Sequence, residues 1–234
     1  MSNMLMVPQN LPENIRAVRE RIARVAARSG RDTDSVTLLA VGKTHSADIL
    51  REAAACGVRH FGESYVQEAL PKIETLRDLP LTWHFIGQLQ ANKTRAVAEH
   101  FHWVHGVDRM RIAQRLSEQR PFHAPPLNVC LQVNVAGEQT KGGVSPQDLP
   151  ALAAGVAALP RLTLRGLMCI PPPEEDPARQ RHWFARTAEL MRSLHVPGVT
   201  LDTLSMGMSN DFEVAIEEGA TIVRIGTALF GARE

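Results

Sequence analysis

Eight short runs of apolar and β-branched residues recur along this 234-residue chain, and a helix-like stretch fills each of the seven gaps between them. The runs are VTLLAVG, VRHFG, LTWHFIG, HWVHGV, LNVCLQVNV, LTLRGLMCI, LDTLSMG and TIVRIG. Between them lie stretches such as ADILREAAACG, RMRIAQRLSEQ, DPARQRHWFARTAELMRSL and NDFEVAIEEGA. Strands that alternate with helices form right-handed parallel units whose strands are covered on both faces. Eight such units in a chain of this size predict an α/β fold, a TIM-type (β/α)8 barrel. An open doubly wound sheet would carry a glycine-rich turn after its first strand, whereas VGKTHS has one glycine. Ahead of the first run, Ile15, Val18, Ile22 and Val25 recur at helical spacing and Gly30 offers a stop, so a helix precedes the barrel. No linker divides the chain, and IPPPEEDPARQ falls where a barrel places a βα loop. A single domain over residues 1–234 is expected.

Charge and cysteine content narrow the function. Lysine and arginine number 26 against 25 acidic residues, a net charge of +1 that gives no footprint for nucleic acid or an anionic membrane. The apolar runs fall short of the roughly 20 residues that a membrane helix needs. The N-terminus lacks a basic segment followed by a long apolar region, so no secretory signal is expected. Cys56, Cys130 and Cys169 are widely spaced and form no CxxC pair, which argues against disulfides and structural zinc. These features suit a cytoplasmic protein.

A TIM barrel builds its site where strands end and βα loops begin. Those points carry Lys43, Glu63-Ser64, Gly87-Gln88, Asp108, Asn134, Cys169, the segment from Ser205 to Ser209, and Arg224 to Thr227. In SMGMSNDFEVAI, Ser209, Asn210 and Asp211 open a helix, and Asn210 with Glu213 has capping-box spacing. In VRIGTALFG, Gly226 lets backbone amides approach a ligand and Thr227 follows it. The two segments together predict a phosphate cradle on the loops after strands seven and eight. Lys43 admits two readings: a strand-end lysine that reaches solvent, or a desolvated amine able to form a Schiff base. A lysine imine partner plus a phosphate anchor is what pyridoxal 5'-phosphate requires. Arg224, inside the last strand, needs a fixed acceptor: a carboxylate on a neighbouring strand, or the pyridine nitrogen of that cofactor. The GKT at Gly42 to Thr44 is no nucleotide P-loop, because Thr37 stands where the first glycine belongs.

AVGKT, FGESYVQEA, WHFIGQLQANK, SMGMSNDFEVAI and VRIGTALFG together resemble the pyridoxal phosphate homeostasis protein family, in order and over nearly the whole chain. That family is similar to the barrel half of alanine racemases and bacterial-type ornithine decarboxylases. The resemblance implies that Lys43 holds pyridoxal 5'-phosphate as a Schiff base. It implies that Ser209, Gly226 and Thr227 bind its phosphate and that Arg224 faces its pyridine nitrogen. It further implies cofactor buffering, or delivery to pyridoxal-phosphate-dependent apoenzymes, without a catalytic reaction. Against the commoner family pattern this chain has Gly42 before the lysine, His45-Ser46 after the threonine, Ser64 in place of asparagine, and NVAGEQTKGG for a serine-rich loop, retaining Lys141.

Two other functions compete. An amino-acid racemase or decarboxylase on this barrel needs a second acid/base opposite the lysine. Racemases take it from a C-terminal domain that is not expected here, and Tyr65 is the one tyrosine of the chain. Without that dimerising domain a monomer is expected. A metal-dependent hydrolase could use His84, His100, His102 and His105, but only Asp108 offers a strand-end carboxylate near them, and no metal site is assigned. Met206 and Met208 read as core filling beside a flat cofactor, and Lys141 as a surface lysine or a second aldehyde site.

Overall fold

Eight parallel strands close into a ring in the computed structural model, which describes residues 10–138 and 141–231. The expectations attached to the first nine and last three residues, and to Gln139 and Thr140, lie outside these. The strands are β1 (Thr37–Val41), β2 (His60–Glu63), β3 (Thr82–Phe85), β4 (Trp103–Val107), β5 (Leu127–Gln132), β6 (Leu162–Met168), β7 (Thr203–Ser205) and β8 (Ile222–Ile225), neighbouring one another in chain order. Closure comes from β8 pairing with β1, Leu39 opposite Arg224 and Ala40 opposite Ile225. This is the TIM-type barrel that the alternation predicts. The helices are α1 (Leu11–Arg28), α2 (Ala47–Ala55), α3 (Val66–Thr75), α4 (Thr94–His100), α5 (Met110–Gln119), α6 (Leu149–Ala157), α7 (Pro177–Ser193), α8 (Phe212–Glu217) and α9 (Thr227–Phe230).

The preceding helix ends as its sequence suggests. Gly30 takes φ +68°, its amide donates to Ala27 O at 3.0 Å and that of Arg31 to Ala26 O at 2.9 Å, the paired bonds of a Schellman stop. Ile15, Val18, Ile22 and Val25 are buried, and α1 lies against the last two helices, with Asn14 Nδ2 donating to Leu229 O at 3.0 Å. The capping box expected at Asn210 does not form. Helix α8 starts at Phe212 with Asp211 as its N-cap, so Asn210 lies one residue too early. The Asp211 carboxylate instead accepts from Met208 N at 2.6 Å and folds the loop back on itself.

Most of the core lies between strands and helices and is apolar: Val104, Leu116, Val129, Leu131, Phe184, Phe212, Val223 and Ile225 belong to it. The three cysteines are free thiols, and burial pushes Cys130 up to about 12 and Cys169 up to about 11. Gly207, at φ +92°, is where the end of β7 meets α8. A Cβ there would fall 2.6 Å from that of Ala215 and 2.9 Å from Phe212 Cα, so the loop can pack this closely only without a side chain.

Candidate functional site

A cavity of about 1050 Å³ opens at the C-terminal ends of the strands, and Lys43, Ser209, Arg224, Gly226 and Thr227 all line it. The space is ample for a drug-sized ligand. Barrel closure sets β8 beside β1, so the loop after β8 borders Lys43 rather than facing it across the rim.

Lys43 leaves the end of β1 half-buried, and the chain is gripped on both sides of it. Behind it, Lys72 Nζ donates to Gly42 O and to Glu63 Oε1, both at 2.9 Å. Ahead of it, Thr44 N donates to Glu68 Oε2 at 3.2 Å. Thr44 takes φ +71°, a costly conformation for a β-branched residue, and one that other contacts must hold in place. Lys72 and Glu68 are one turn apart on α3 and supply those contacts. Glu63 is fully buried, its second oxygen has no hydrogen-bond partner among the described residues, and burial pushes its carboxyl up against the pull of Lys72.

Ser209 ties the two last loops together: its Oγ accepts from Ala228 N at 3.2 Å. The amides of Gly226 and Thr227 precede the first backbone bond of α9, which Leu229 N makes to Gly226 O at 2.9 Å. Gly226 has φ −114°, open to any residue, and a Cβ there would meet Val41 at an ordinary 3.5 Å. Among the described residues no close contact demands a glycine at this point, and Gly226 lines the cavity.

Arg224 is buried, and its acceptors are neutral. Nη1 donates to Ser205 Oγ at 2.8 Å and Nη2 to Cys169 O at 2.9 Å. The carboxylate that the sequence allowed for is replaced by a hydroxyl and a carbonyl. A guanidinium has five N–H groups, so donors remain for the cavity that Arg224 lines. Burial lowers its pKa, as desolvation must for a cation.

Of the histidines weighed as metal ligands, His84 and His105 bond to each other through ring nitrogens at 2.9 Å, and His102 Nδ1 accepts from Trp83 N at 3.0 Å. Met206 is buried, while Met208 is exposed on the cavity wall with Tyr65 and Lys141. Lys141 also pairs with Glu138 at 2.8 Å. The sequence reading assigned no role to Glu63 and passed over Lys72 and Glu68; a strand-end glutamate was the one available signal. Lys72 gave none, because a lysine on an outer helix reads as solvated.

The family described as alanine racemase, N-terminal domain, matches residues 14–234. A Pseudomonas aeruginosa relative named pyridoxal phosphate homeostasis protein is 62% identical over 224 residues, covering 96% of both chains. The solved structure of PipY from Synechococcus elongatus, with PLP bound, superposes with a TM-score of 0.85 at 40% identity, covering 94% of this chain and 100% of that one. Alanine racemase from Corynebacterium glutamicum shares the fold, with a TM-score of 0.65 at 18% identity and 61% of its chain covered.

Proposed function

The chain belongs to the alanine racemase N-terminal domain family, and from that premise we propose that it binds pyridoxal 5'-phosphate at the barrel mouth and serves the homeostasis of that cofactor. The observation that carries this reading is that Lys43, Ser209, Arg224, Gly226 and Thr227, drawn from three separate strand ends, line one cavity. The donor set fits the group. Lys43 offers the amine for the covalent link. The hydroxyls of Ser209 and Thr227 and the amides of Gly226 and Thr227 offer neutral donors for a phosphate, and Arg224 offers a permanent donor for a ring nitrogen. When bound, the cofactor supplies an aldehyde for the lysine and an electron sink for substrate carbanions.

The residues favour holding over turnover. A guanidinium does not give up its proton at neutral pH, so Arg224 would hold a ring nitrogen bound to it unprotonated and the sink would be weak. Lys72, Glu63 and Glu68 fix the backbone around Lys43, which presents the amine without reorganisation. We read the protein as a cytoplasmic monomer that passes its cofactor to pyridoxal-phosphate-dependent apoenzymes. No described helix is long and apolar enough to cross a membrane, and large exposed apolar side chains are confined to Tyr65, Phe122, Ile170 and Met208 among the described residues.

The test is the visible spectrum of purified protein mixed with pyridoxal 5'-phosphate, followed by borohydride reduction and peptide mass mapping. A yellow band with the reduced adduct on Lys43 is expected; no band, or an adduct scattered over surface lysines, overturns the reading. Incubation with amino acids in deuterium oxide separates carrier from racemase, since turnover would exchange the α-proton and none is expected to exchange.

A further inference from the structure

Three imidazole rings stand in file inside the barrel. His60 Nδ1 lies 3.0 Å from His84 Nε2, His84 Nδ1 lies 2.9 Å from His105 Nε2, and His105 Nδ1 lies 2.7 Å from Ser205 Oγ. Strands β4 and β7 are not neighbours in the ring, so the last contact crosses the barrel interior. Ser205 Oγ in turn accepts from Arg224 Nη1 at 2.8 Å. His84, His105 and Ser205 are fully buried and His60 is half-buried at the start of β2. Of these five residues, Arg224 alone borders the mouth cavity.

Donor arithmetic gives the file a direction. A guanidinium only donates, so Arg224 takes a lone pair of Ser205. The hydroxyl proton of Ser205 then goes to His105 Nδ1, since Ser205 Oγ has no third polar partner among the described residues. A neutral imidazole has one donor and one acceptor. His105 therefore donates through Nε2 to His84 Nδ1, and His84 through Nε2 to His60 Nδ1. Neutrality follows from burial, which lowers His84 well below its ordinary range and takes His105 to about 3, with the Arg224 charge adding to the shift of His105. In the reverse direction Ser205 would receive two N–H groups and leave its own proton without an acceptor at a buried position, which is costly.

We propose that His60, His84 and His105 are positioning residues for Arg224: the file pins Ser205 as a hydrogen-bond acceptor and so holds the guanidinium with its remaining N–H groups at the cavity. The direction of the file stands on hydrogen bonding between buried, neutral rings; its service to a cofactor ring rests on the function proposed above. Rings that merely fill the barrel would have no fixed direction and no dependence on Arg224.

Long-range nitrogen–proton NMR spectra of the full chain, with 15N-labelled histidine at neutral pH, test the direction. In the parent protein His84 and His105 are each expected as a single Nε2–H form. In Arg224→Met, Ser205 is released to donate or accept, and His84 is expected to show both tautomers although it does not touch residue 224. Nδ1–H on His84 or His105 in the parent protein, or a His84 signal indifferent to a folded Arg224→Met protein, overturns the proposal. Two variants at one buried position test the service to the cofactor. Asparagine keeps an acceptor near the place of Nδ1 and leucine does not, so His105→Leu should weaken pyridoxal 5'-phosphate binding about tenfold, the effect of one lost hydrogen bond, and His105→Asn much less. Equal affinities in the two variants overturn it. A parent protein whose histidine spectra are as expected but which binds no cofactor sinks the functional reading and leaves the file's direction intact.

Discussion

The layer between strands and helices and the space inside the ring of strands are both buried, yet their side chains differ in kind. The outer layer is mostly hydrocarbon, with Phe61, Phe85, Phe101, Phe184 and Phe212 fully buried and the Lys72–Glu63 pair a charged exception. The inner space holds His84, His105, Ser205 and Arg224, each bonded to the next. Apolar contacts are non-directional, and a gap at one point is felt in proportion to its volume. A hydrogen-bonded file works otherwise: each member needs its neighbour in one protonation state, and removing one strands another. The outer layer therefore supplies most of the stability, and the inner file chiefly sets the geometry of the group that borders the mouth.

Four measurements would sharpen or break that contrast, taken from the largest expected effect on stability to the smallest. Phe184→Ala empties part of the outer layer and should cost about 3–5 kcal/mol in urea unfolding, with cofactor binding unchanged in the folded protein. A loss under 1 kcal/mol would mean that the layer collapses around the gap. Lys72→Met leaves Glu63 buried without its partner and should cost roughly 3–5 kcal/mol, with adding Glu63→Gln in the same protein recovering part of it. No recovery would show that Lys72 acts through Gly42 O rather than through the carboxylate.

Acid should act on the inner file. His84 and His105 have lowered pKa values when folded, His105 falling from 6.5 to about 3. Their contribution is complete above 6.5, where folded and unfolded states are both neutral, and is lost as pH falls below 6.5 because only the unfolded chain then takes up protons. Each such histidine removes up to about 1.4 kcal/mol per pH unit. Urea midpoints measured from pH 7 to pH 5 should decline; a flat profile would place charge in the file. Smallest of all, Lys43→Ala should change stability by less than about 0.5 kcal/mol, while abolishing the borohydride-stable adduct and leaving weaker, phosphate-anchored binding. A large fall in melting temperature would move Lys43 from the site into the framework.

Much of the fold could be read before any coordinates. The runs TLLAV at β1 and IVRI at β8 declare strands because β-branched and apolar residues suit a pleat covered on both faces. Ile15, Val18 and Ile22 declare a helix because they recur on one face. That Lys43, Ser209, Arg224, Gly226 and Thr227 border one cavity was legible for a related reason: in this architecture the strand ends and the loops after them form the mouth, so position along the chain already specifies position in space. Element starts were less legible. Asn210 and Asp211 are equally good caps in sequence, and the bond from Met208 N to the Asp211 carboxylate decided between them.

The sequence by itself determined the order and kind of the elements and the chemistry at the strand ends, since periodicity and turn preference are properties of a few consecutive residues. The tertiary structure alone decided what those residues touch. His105 and Ser205 are 100 residues apart in the chain and on strands that do not pair. Lys72 stands 30 residues from the carbonyl that it holds. Such contacts depend on how the ring closes and how far each strand is staggered against the next, and no local pattern carries that information.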